Sequence, residues 1–585
     1  MRSTGGFCLP SHVERFRRAN QANQIKIMKM TGADLVIRLL ERQGIRLIAG
    51  IPGGANLPLY DALARRPVIR HVLSRHEQGA GFIAQGLART TGRPAVCFAT
   101  SGPGATNILT AIADAKLDSI PLVCITGQVP QALIGTDAFQ EVDVFGMSLP
   151  VTKHNYLVQS AEELLSVIPE AFRLAASGRP GPVWIDIPKD VQLASIEFDA
   201  WPEPGTADAP AEPEAEAVAQ AAAMIEEARQ PILYLGGGII HSESSAAARA
   251  LAERSHLPTV STLMALGALP TDHPQSLGML GMHAAPYTNL ALEECDLLIA
   301  LGARFDDRAT GKVAEFCPHA RVIHVDIDAS ELGKIRMPTL SVRADAGRFL
   351  ESLLAILPER QRPDWNARIA ELKATHPMEM PGAEDPSTPY GLIHAIARHA
   401  GRDAIVATDV GQHQMWTAQA FPFCRPRQWL TSGGLGTMGF GLPAALGAAL
   451  SEPGCPVVCI SGDGSFLMNN QEMITAAEAG ADIKVVIMNN QSLGLVHQQQ
   501  TLFFGKRLIA SKFEQGPDFA MMARAMGMEA VDLAGEPDID AALAEAFARP
   551  GPVLINAPTG VEQHVLPMVP PGGANREMIR TACAR

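Results

Sequence analysis

The chain has no close cysteine pairing. Its nine cysteines (Cys8, Cys97, Cys124, Cys295, Cys317, Cys424, Cys455, Cys459 and Cys583) include no C-x-x-C pair, and several stand in apolar, strand-like runs. This argues against a disulfide scaffold and reads as reduced core thiols of a cytoplasmic protein. No run approaches 18 consecutive apolar residues, so no transmembrane helix is expected. Basic residues are outnumbered: 48 Lys and Arg against 61 Asp and Glu leave a net charge of −13. That argues against general nucleic-acid binding and leaves small anionic substrates open. With 47% hydrophobic and 19% charged residues the chain is an ordinary folded one. Its 585 residues exceed a single core and suggest three to four domains.

The first thirty residues carry Arg2, Arg15, Arg17, Arg18, Lys26 and Lys29 against one acid, Glu14, and lack the apolar core of a secretion signal. A basic, acid-poor leader is one reading. The other, favoured here, is an extension outside the fold, with the true start near Met28 or Met30, because periodic patterning begins at Thr31.

The stretch around which the chain is organised is Gly462-Asp463-Gly464-Ser465, which follows a short β-branched run ending at Ile460. Twenty-four residues separate Gly464 from Asn489-Asn490, which follow the strand-like Lys484–Met488. A strand–helix–strand unit puts both turns on one edge of a parallel sheet. Asp463 and Asn490 then sit side by side and offer oxygens to a hard cation such as Mg²⁺. Gly462 and Gly464 let the backbone approach a phosphate, and the helix after Ser465 aims its N-terminus at it.

Strand and helix patterns alternate from Thr31 to about 195, again after Pro231–Leu235, and again from Ala404 to about Pro558. Pro-rich, linker-like segments fall at 196–217 and 374–389. The expected architecture is α/β, with three doubly wound parallel-sheet domains at 31–195, 218–373 and 390–560, then a Pro/Gly-rich tail, 561–585.

Other segments carry chemistry. Glu77 ends a strand and opens a helix, a position for an acid/base group or a helix-dipole partner. Ser101-Gly102-Pro103-Gly104 is a glycine-rich strand-to-helix turn. Gln412 and His413 follow the strand ending at Thr408 and offer neutral donors to a diphosphate. Glycines crowd 433–441 before the helix at Leu442, which suits close backbone contact with a ligand. Gly236-Gly237-Gly238 follows one central-domain strand, and Asp326 ends another, where an acid can bind ribose hydroxyls.

The Gly462–Asn490 spacing resembles the thiamine-diphosphate motif of 2-oxoacid decarboxylases and carboligases. With Arg75–Ala80, Thr152–Tyr156 and Gly181–Val191 (which includes Lys189), the chain resembles acetolactate synthase large subunits from residue 31 to 575. Gly494–Gln500 and the Gln412–Ala420 run resemble the isozyme I type of enteric bacteria.

The resemblance implies roles. Glu77 would hydrogen-bond N1′ of the aminopyrimidine, with His76 structural. Gly102, Phe139 and Gln140 would face cofactor and substrates. The carbonyl of Gly436 would accept from the 4′-amine, Met438 would wedge the thiamine into its bent shape, and Val410 would add an apolar wall. The Ser492 carbonyl would complete the metal set of Asp463 and Asn490, with Gly494 and Leu495 beside the diphosphate. FAD would lie along Arg179, Gly236–Gly238, Leu263–Leu266, His283–Arg304 and Asp326, Ile327 to Asp345, as a structural group. Arg308 would hold the carboxylate of the second 2-oxoacid; an ion pair with Asp306 or Asp307 is its other reading.

Gln499 stands where most of the family has a tryptophan that narrows the acceptor pocket. Pyruvate and 2-oxobutyrate would be the substrates, in branched-chain amino-acid biosynthesis. The active unit would be a homodimer or larger, with Glu77 of one chain meeting Asp463 of another. The resemblance also implies a regulatory small subunit, as the family usually has one and no regulatory-domain pattern appears in this chain, and a tail that would act as a lid. Pyruvate oxidase and glyoxylate carboligase share the scaffold, although the latter lacks the glutamate; a non-catalytic binding scaffold is the other alternative.

Overall fold

The computed structural model describes residues 27–581. Three six-stranded sheets, all parallel, form the frame. The N-terminal sheet contains β2 (Leu47–Gly50), β3 (Arg70–Leu73), β4 (Ala95–Ala99), β5 (Leu122–Gln128), β6 (His154–Leu157) and β7 (Pro182–Pro188), in the order β3-β2-β4-β5-β7-β6. Its central strands β4, β5 and β7 are buried along their whole length, as expected where helices cover both faces.

The strand-like runs singled out in the sequence, at Pro231–Leu235, before Asp326, Thr408 and Ile460 and at Lys484–Met488, all fall in strands, whereas short strands such as β6 were not anticipated. Four-residue β6 buries only Asn155 fully, and so short an edge strand leaves little apolar pattern to read. The inner boundary of the leader also needs correction. Met28–Thr31 forms β1 and pairs antiparallel with β8 (Ser195–Phe198), so ordered structure starts before residue 31 and runs past 195. Residues 1–26 lie outside the described residues.

The central sheet holds β9 (Pro231–Leu235), β10 (Thr259–Ser261), β11 (Ser276–Met279), β12 (Leu297–Leu301), β13 (Arg321–Asp326) and β14 (Leu340–Arg343). Its order, β11-β10-β9-β12-β13-β14, is that of dinucleotide-binding sheets, which take their ligand where the order reverses, here between β9 and β12. The third sheet is built from β15 (Ile405–Thr408), β16 (Trp429–Leu430), β17 (Val457–Gly462), β18 (Ile483–Asn489), β19 (Glu529–Asp532) and β20 (Val553–Pro558). It runs β16-β15-β17-β18-β20-β19, the same winding as the first. Its order reverses between β15 and β17, so the loops after these strands face a common crevice.

The first and third domains dock through two helices, α1 (Glu77–Thr91) and α2 (Gly441–Ser451). Their backbones meet so closely that a Cβ on Gly86 would run into the carbonyl of Ala444, and one on Gly447 into that of Ile83. The tail folds back over the protein: Met568 bridges to Ile579, Val569 N–H donates to Met282, and Lys312 N–H donates to Gly573.

Candidate active site

At the third sheet's crevice the pairing read from spacing is present. Asp463 follows β17 and Asn490 follows the adjacent β18. The main-chain N–H of Ser492 donates to both Asp463 Oδ2 and Asn490 Oδ1, each at 3.1 Å. A carboxylate oxygen and an amide oxygen thus converge on one point. Burial pushes the Asp463 carboxyl up to about 6, the mark of a carboxylate short of water that a hard cation would relieve. Oxygens of this kind are the donors a hard cation such as Mg²⁺ takes, and among the described residues no group of three or more His, Cys, Asp or Glu side chains is placed to hold a metal ion.

His413 lies beside the turn: a Cβ on Gly462 would sit 2.8 Å from its Nδ1. Its ring is buried, its pKa is pushed down to about 3 by burial, and its Nε2 has no hydrogen-bond partner. A neutral imidazole with an unpaired buried nitrogen suits a phosphate oxygen.

The Gln412 amide is held within the chain. Its Nε2 donates to Gln498 Oε1 and to the Gln563 carbonyl, both at 2.9 Å, while its Oε1 accepts from Asn490 Nδ2 at 3.1 Å. The amide therefore braces Asn490 and the tail and has no N–H left for a diphosphate. Ser465 is likewise turned inward, with Oγ donating to Gly462 O. A Cβ on Gly464 would crowd Leu493, and one on Gly494 would strike Gln412 Oε1, so packing demands these glycines as well. Leu495 is half-buried in helix α3 (Gly494–Phe503).

The N-terminal half-site assembles at the carboxyl end of the first sheet. Glu77 opens α1, is 8% exposed, and accepts from Asn107 Nδ2 at 2.9 Å. His76 caps the same helix, its Nδ1 accepting from Gln78 N–H at 3.0 Å. Gly102 has φ of +57° and lies under Gln140, whose carbonyl would be 2.7 Å from a Cβ there. Gly102 and Gln140 are therefore neighbours, and Glu77 Oε1 lies 3.4 Å from where a Cβ on Gly104, two residues on, would stand. Phe139 is not gathered with them in the single chain: it stands 88% exposed. Lys189 begins the short helix after β7 without an ion pair among the described residues. Gly436 (φ +69°) is exposed and Met438 half-buried, with Val410 the closest atom a Gly436 Cβ would meet, at 4.0 Å. Glu77 makes no hydrogen bond to this loop.

The central domain offers a cavity of about 450 Å³ at its switch point. Gly237, Gly238, Arg304, Asp326, Ile327 and Asp345 line it, and Arg179 closes it from the first domain. Burial raises Asp326 to about 6, and Arg179 pairs with Glu331 at 2.7 Å and Asp328 at 3.1 Å. A long cleft with glycine turns and strand-end acids at this place fits a dinucleotide such as FAD. Gly236 packs on Gly302 behind the cavity. His283 stands outside this lining, with its Nδ1 facing the Pro567 carbonyl of the tail at 3.0 Å. Arg308 is largely free, with only a loose 3.8 Å approach to exposed Asp307. Asp306 instead caps the turn through the N–H groups of Arg308 and Ala309.

Family models for thiamine pyrophosphate enzymes match all three domains. The N-terminal TPP binding domain covers residues 30–147, the central domain 218–353 and the C-terminal TPP binding domain 409–557. The chain is 58% identical to the acetolactate synthase isozyme 1 large subunit of Escherichia coli, over 94% of this chain and 98% of that one. The chain belongs to the acetolactate synthase family.

Isozyme 2 of E. coli is 47% identical, covering 94% of this chain and 99% of its own length. Acetolactate synthase 1 of Nicotiana tabacum is 44% identical, covering 94% and 84%. Three residues important to this acetolactate synthase site escaped the sequence reading. Gln498, beside the singled-out Gln499, is fully buried and also donates to Val565 O in the tail at 2.9 Å. Glu472 anchors the turn before Glu77, with Arg75 N–H donating to it at 2.9 Å. Asp118, at the end of helix Pro103–Leu117, holds the Gly433-Gly434 turn. Their partners lie far along the chain, and no local motif marks them.

Proposed function

We propose that this chain is the catalytic subunit of an acetolactate synthase. It decarboxylates pyruvate and joins the remaining two-carbon unit to a second pyruvate, giving 2-acetolactate, or to 2-oxobutyrate, giving 2-aceto-2-hydroxybutyrate. These products lead to branched-chain amino acids. The observation that carries the reading is the convergence of Asp463 and Asn490 on the Ser492 N–H in a chain of this family.

The enzyme works with thiamine diphosphate, Mg²⁺ and FAD. Thiamine diphosphate, when bound, supplies the electron sink that decarboxylation needs. Asp463, Asn490 and the Ser492 carbonyl would hold the metal, and His413 with the Gly462–Ser465 backbone the diphosphate. Glu77 would hold a proton at N1′ of the aminopyrimidine. Met438 and Val410, with Phe139, would wall the reacting centre from water. Arg308 has the free guanidinium needed to take a carboxylate in two parallel bonds. Arg179, Gly237, Gly238 and Asp326 would contact FAD.

The exposure of Phe139, Leu435 and Gly436, together with the lack of a hydrogen bond between Glu77 and that loop, supports a homodimer that joins the half-sites of two chains. Relatives named as large subunits support a small regulatory partner. Cysteines carried as thiols suit a cytoplasmic enzyme. Among the described residues no helix is long and apolar enough to cross a membrane.

The test is product analysis with pyruvate, thiamine diphosphate, Mg²⁺ and FAD, with and without 2-oxobutyrate. Acetolactate that disappears when thiamine diphosphate is omitted is the expected result. Acetate formation with oxygen uptake would make the chain an oxidase instead.

A further inference from the structure

Asp118 faces two sites at once. It ends helix Pro103–Leu117 and is 5% exposed. Its Oδ2 accepts from Gly433 N–H at 3.0 Å and from Arg89 Nη2 at 2.8 Å, and its Oδ1 accepts from Gly434 N–H at 2.7 Å. One turn earlier, Asp114 takes the other end of the same loop: Ser432 Oγ and Thr437 Oγ1 both donate to its Oδ1, the latter at 3.1 Å. Thr437 N–H closes the loop on Ser432 Oγ at 2.8 Å. Two carboxylates from the first domain thus fix the loop 432–437 of the third, which carries Gly436 and leads directly into Met438.

The opposite side of Asp118 belongs to the FAD cavity. Leu117, Asp118 and Ser119 line it together with His241 and Met264 of the central domain. His241 Nε2 approaches the Asp118 carbonyl at 3.3 Å. Met264 is pressed so closely on Gly433 that a Cβ there would overlap its sulfur. Gly434 is equally confined, with Leu117 Cβ 2.8 Å from where its own Cβ would stand. The Asp118 carboxylate is wholly buried, so a ligand filling the cavity would meet its main chain and Met264, and these two bear on the Gly433-Gly434 turn.

We propose that Asp118 is a positioning residue that couples occupancy of the FAD cavity to the thiamine-binding loop, so that bound FAD tightens the hold on thiamine diphosphate. This rests on the cofactor assignments above. It gives the flavin of a non-redox carboligation a physical task, which is to order the loop 432–438 through Asp118 and Met264. Coupling between two binding sites is reciprocal, so thiamine diphosphate must tighten FAD by the same factor.

The experiment is a pair of titrations on the full-length enzyme stripped of both cofactors. Thiamine diphosphate affinity is measured with saturating Mg²⁺, with and without FAD, and FAD affinity with and without thiamine diphosphate. We expect FAD to lower the thiamine diphosphate Kd by ~10-fold, with an equal reciprocal effect, within the usual range for coupled sites. Amide hydrogen exchange at 433–437 should slow when FAD alone is added. In Asp118→Asn the coupling factor should fall toward 1 while FAD still binds. FAD binding with an unchanged thiamine diphosphate Kd in the unmodified enzyme would overturn the inference and leave the catalytic reading intact. Failure of FAD to bind at all would overturn the flavin assignment and the inference with it. The titration of the unmodified enzyme needs no variant, so poor folding of Asp118→Asn cannot decide the matter.

Discussion

The carboxylate of Glu472, in the C-terminal domain, accepts the main-chain N–H of His76 at 3.1 Å, one residue before Glu77. The same oxygen accepts from Arg75 N–H at 2.9 Å, and the other accepts from Thr475 Oγ1 at 2.7 Å. Glu472 is fully buried, and burial raises its carboxyl pKa. The turn that delivers Glu77 is thus anchored from the third domain as well as from its own. Removing the carboxylate in Glu472→Ala strands two amides and should cost about 1–3 kcal/mol. Turnover should fall while the KM for pyruvate stays close to its original value, because Glu77 loses its position and not its chemistry. Thermal unfolding and steady-state kinetics on one preparation check both parts. An unchanged kcat alongside the stability loss would leave Glu472 a structural residue only.

Glu77→Gln removes the acid and keeps the shape. Asn107 can still donate to the amide oxygen, so α1 should be undisturbed. Loss of a positioned acid typically removes 10²–10⁴-fold of rate, and about that loss is expected here. Thiamine diphosphate and Mg²⁺ should bind as before, since Asp463, Asn490 and Ser492 lie on another domain. Turnover close to that of the unmodified enzyme would remove Glu77 from the mechanism.

The parts of the site that were legible in the sequence are those held by local geometry. Asp463 and Asn490 could be paired because adjacent parallel strands end on one edge, and β17 and β18 are adjacent. The cavity residues Gly237, Gly238 and Asp326 follow strands for the same reason. What could not be read depends on partners remote in sequence. Asp118 meets Gly433 across 315 positions, and Glu472 meets His76 across 396. Gln412 was expected to donate to a ligand, because nothing nearby shows that Gln498 and Gln563 occupy its amide. The contact of His283 with the Pro567 carbonyl of the returning tail is equally invisible in the sequence.

Asp186 offers a pH test independent of the catalytic site. It is buried in β7, where Thr126 Oγ1 donates to it at 2.6 Å and Gln128 Nε2 at 2.9 Å. Burial raises its pKa from 3.8 to about 7, against the pull of those two bonds. The folded chain therefore keeps a proton between pH 4 and 7 that the unfolded chain has lost. More protons on the folded state means stability falls as pH rises through that window. From pH 5 to 8 the unmodified protein should lose on the order of 1–3 kcal/mol more than Asp186→Asn, which cannot titrate there. Denaturant unfolding of both proteins across this range makes the comparison. Parallel curves would mean that Asp186 is ionised throughout.

Under the proposed function, Gln499 would shape the acceptor pocket. It is half-buried on α3, next to Gln498, which turns inward to Gln412 and the tail. Consecutive helical residues point about 100° apart, so Gln499 faces away from that inner contact. Its amide makes no hydrogen bond among the described residues, and an indole could replace it without stranding a partner. A tryptophan there would add apolar surface against the extra methylene that distinguishes 2-oxobutyrate from pyruvate. One methylene in an apolar pocket is worth about 1–3 kcal/mol, so Gln499→Trp should raise selectivity for 2-oxobutyrate by ~10-fold or more. The measurement is the ratio of 2-aceto-2-hydroxybutyrate to 2-acetolactate when both acids compete at equal concentration. The same substitution should raise sensitivity to inhibitors that stack on an indole. If the product ratio does not move, the acceptor is held elsewhere, and Arg308 with its tail-pinned loop becomes the place to look for selectivity.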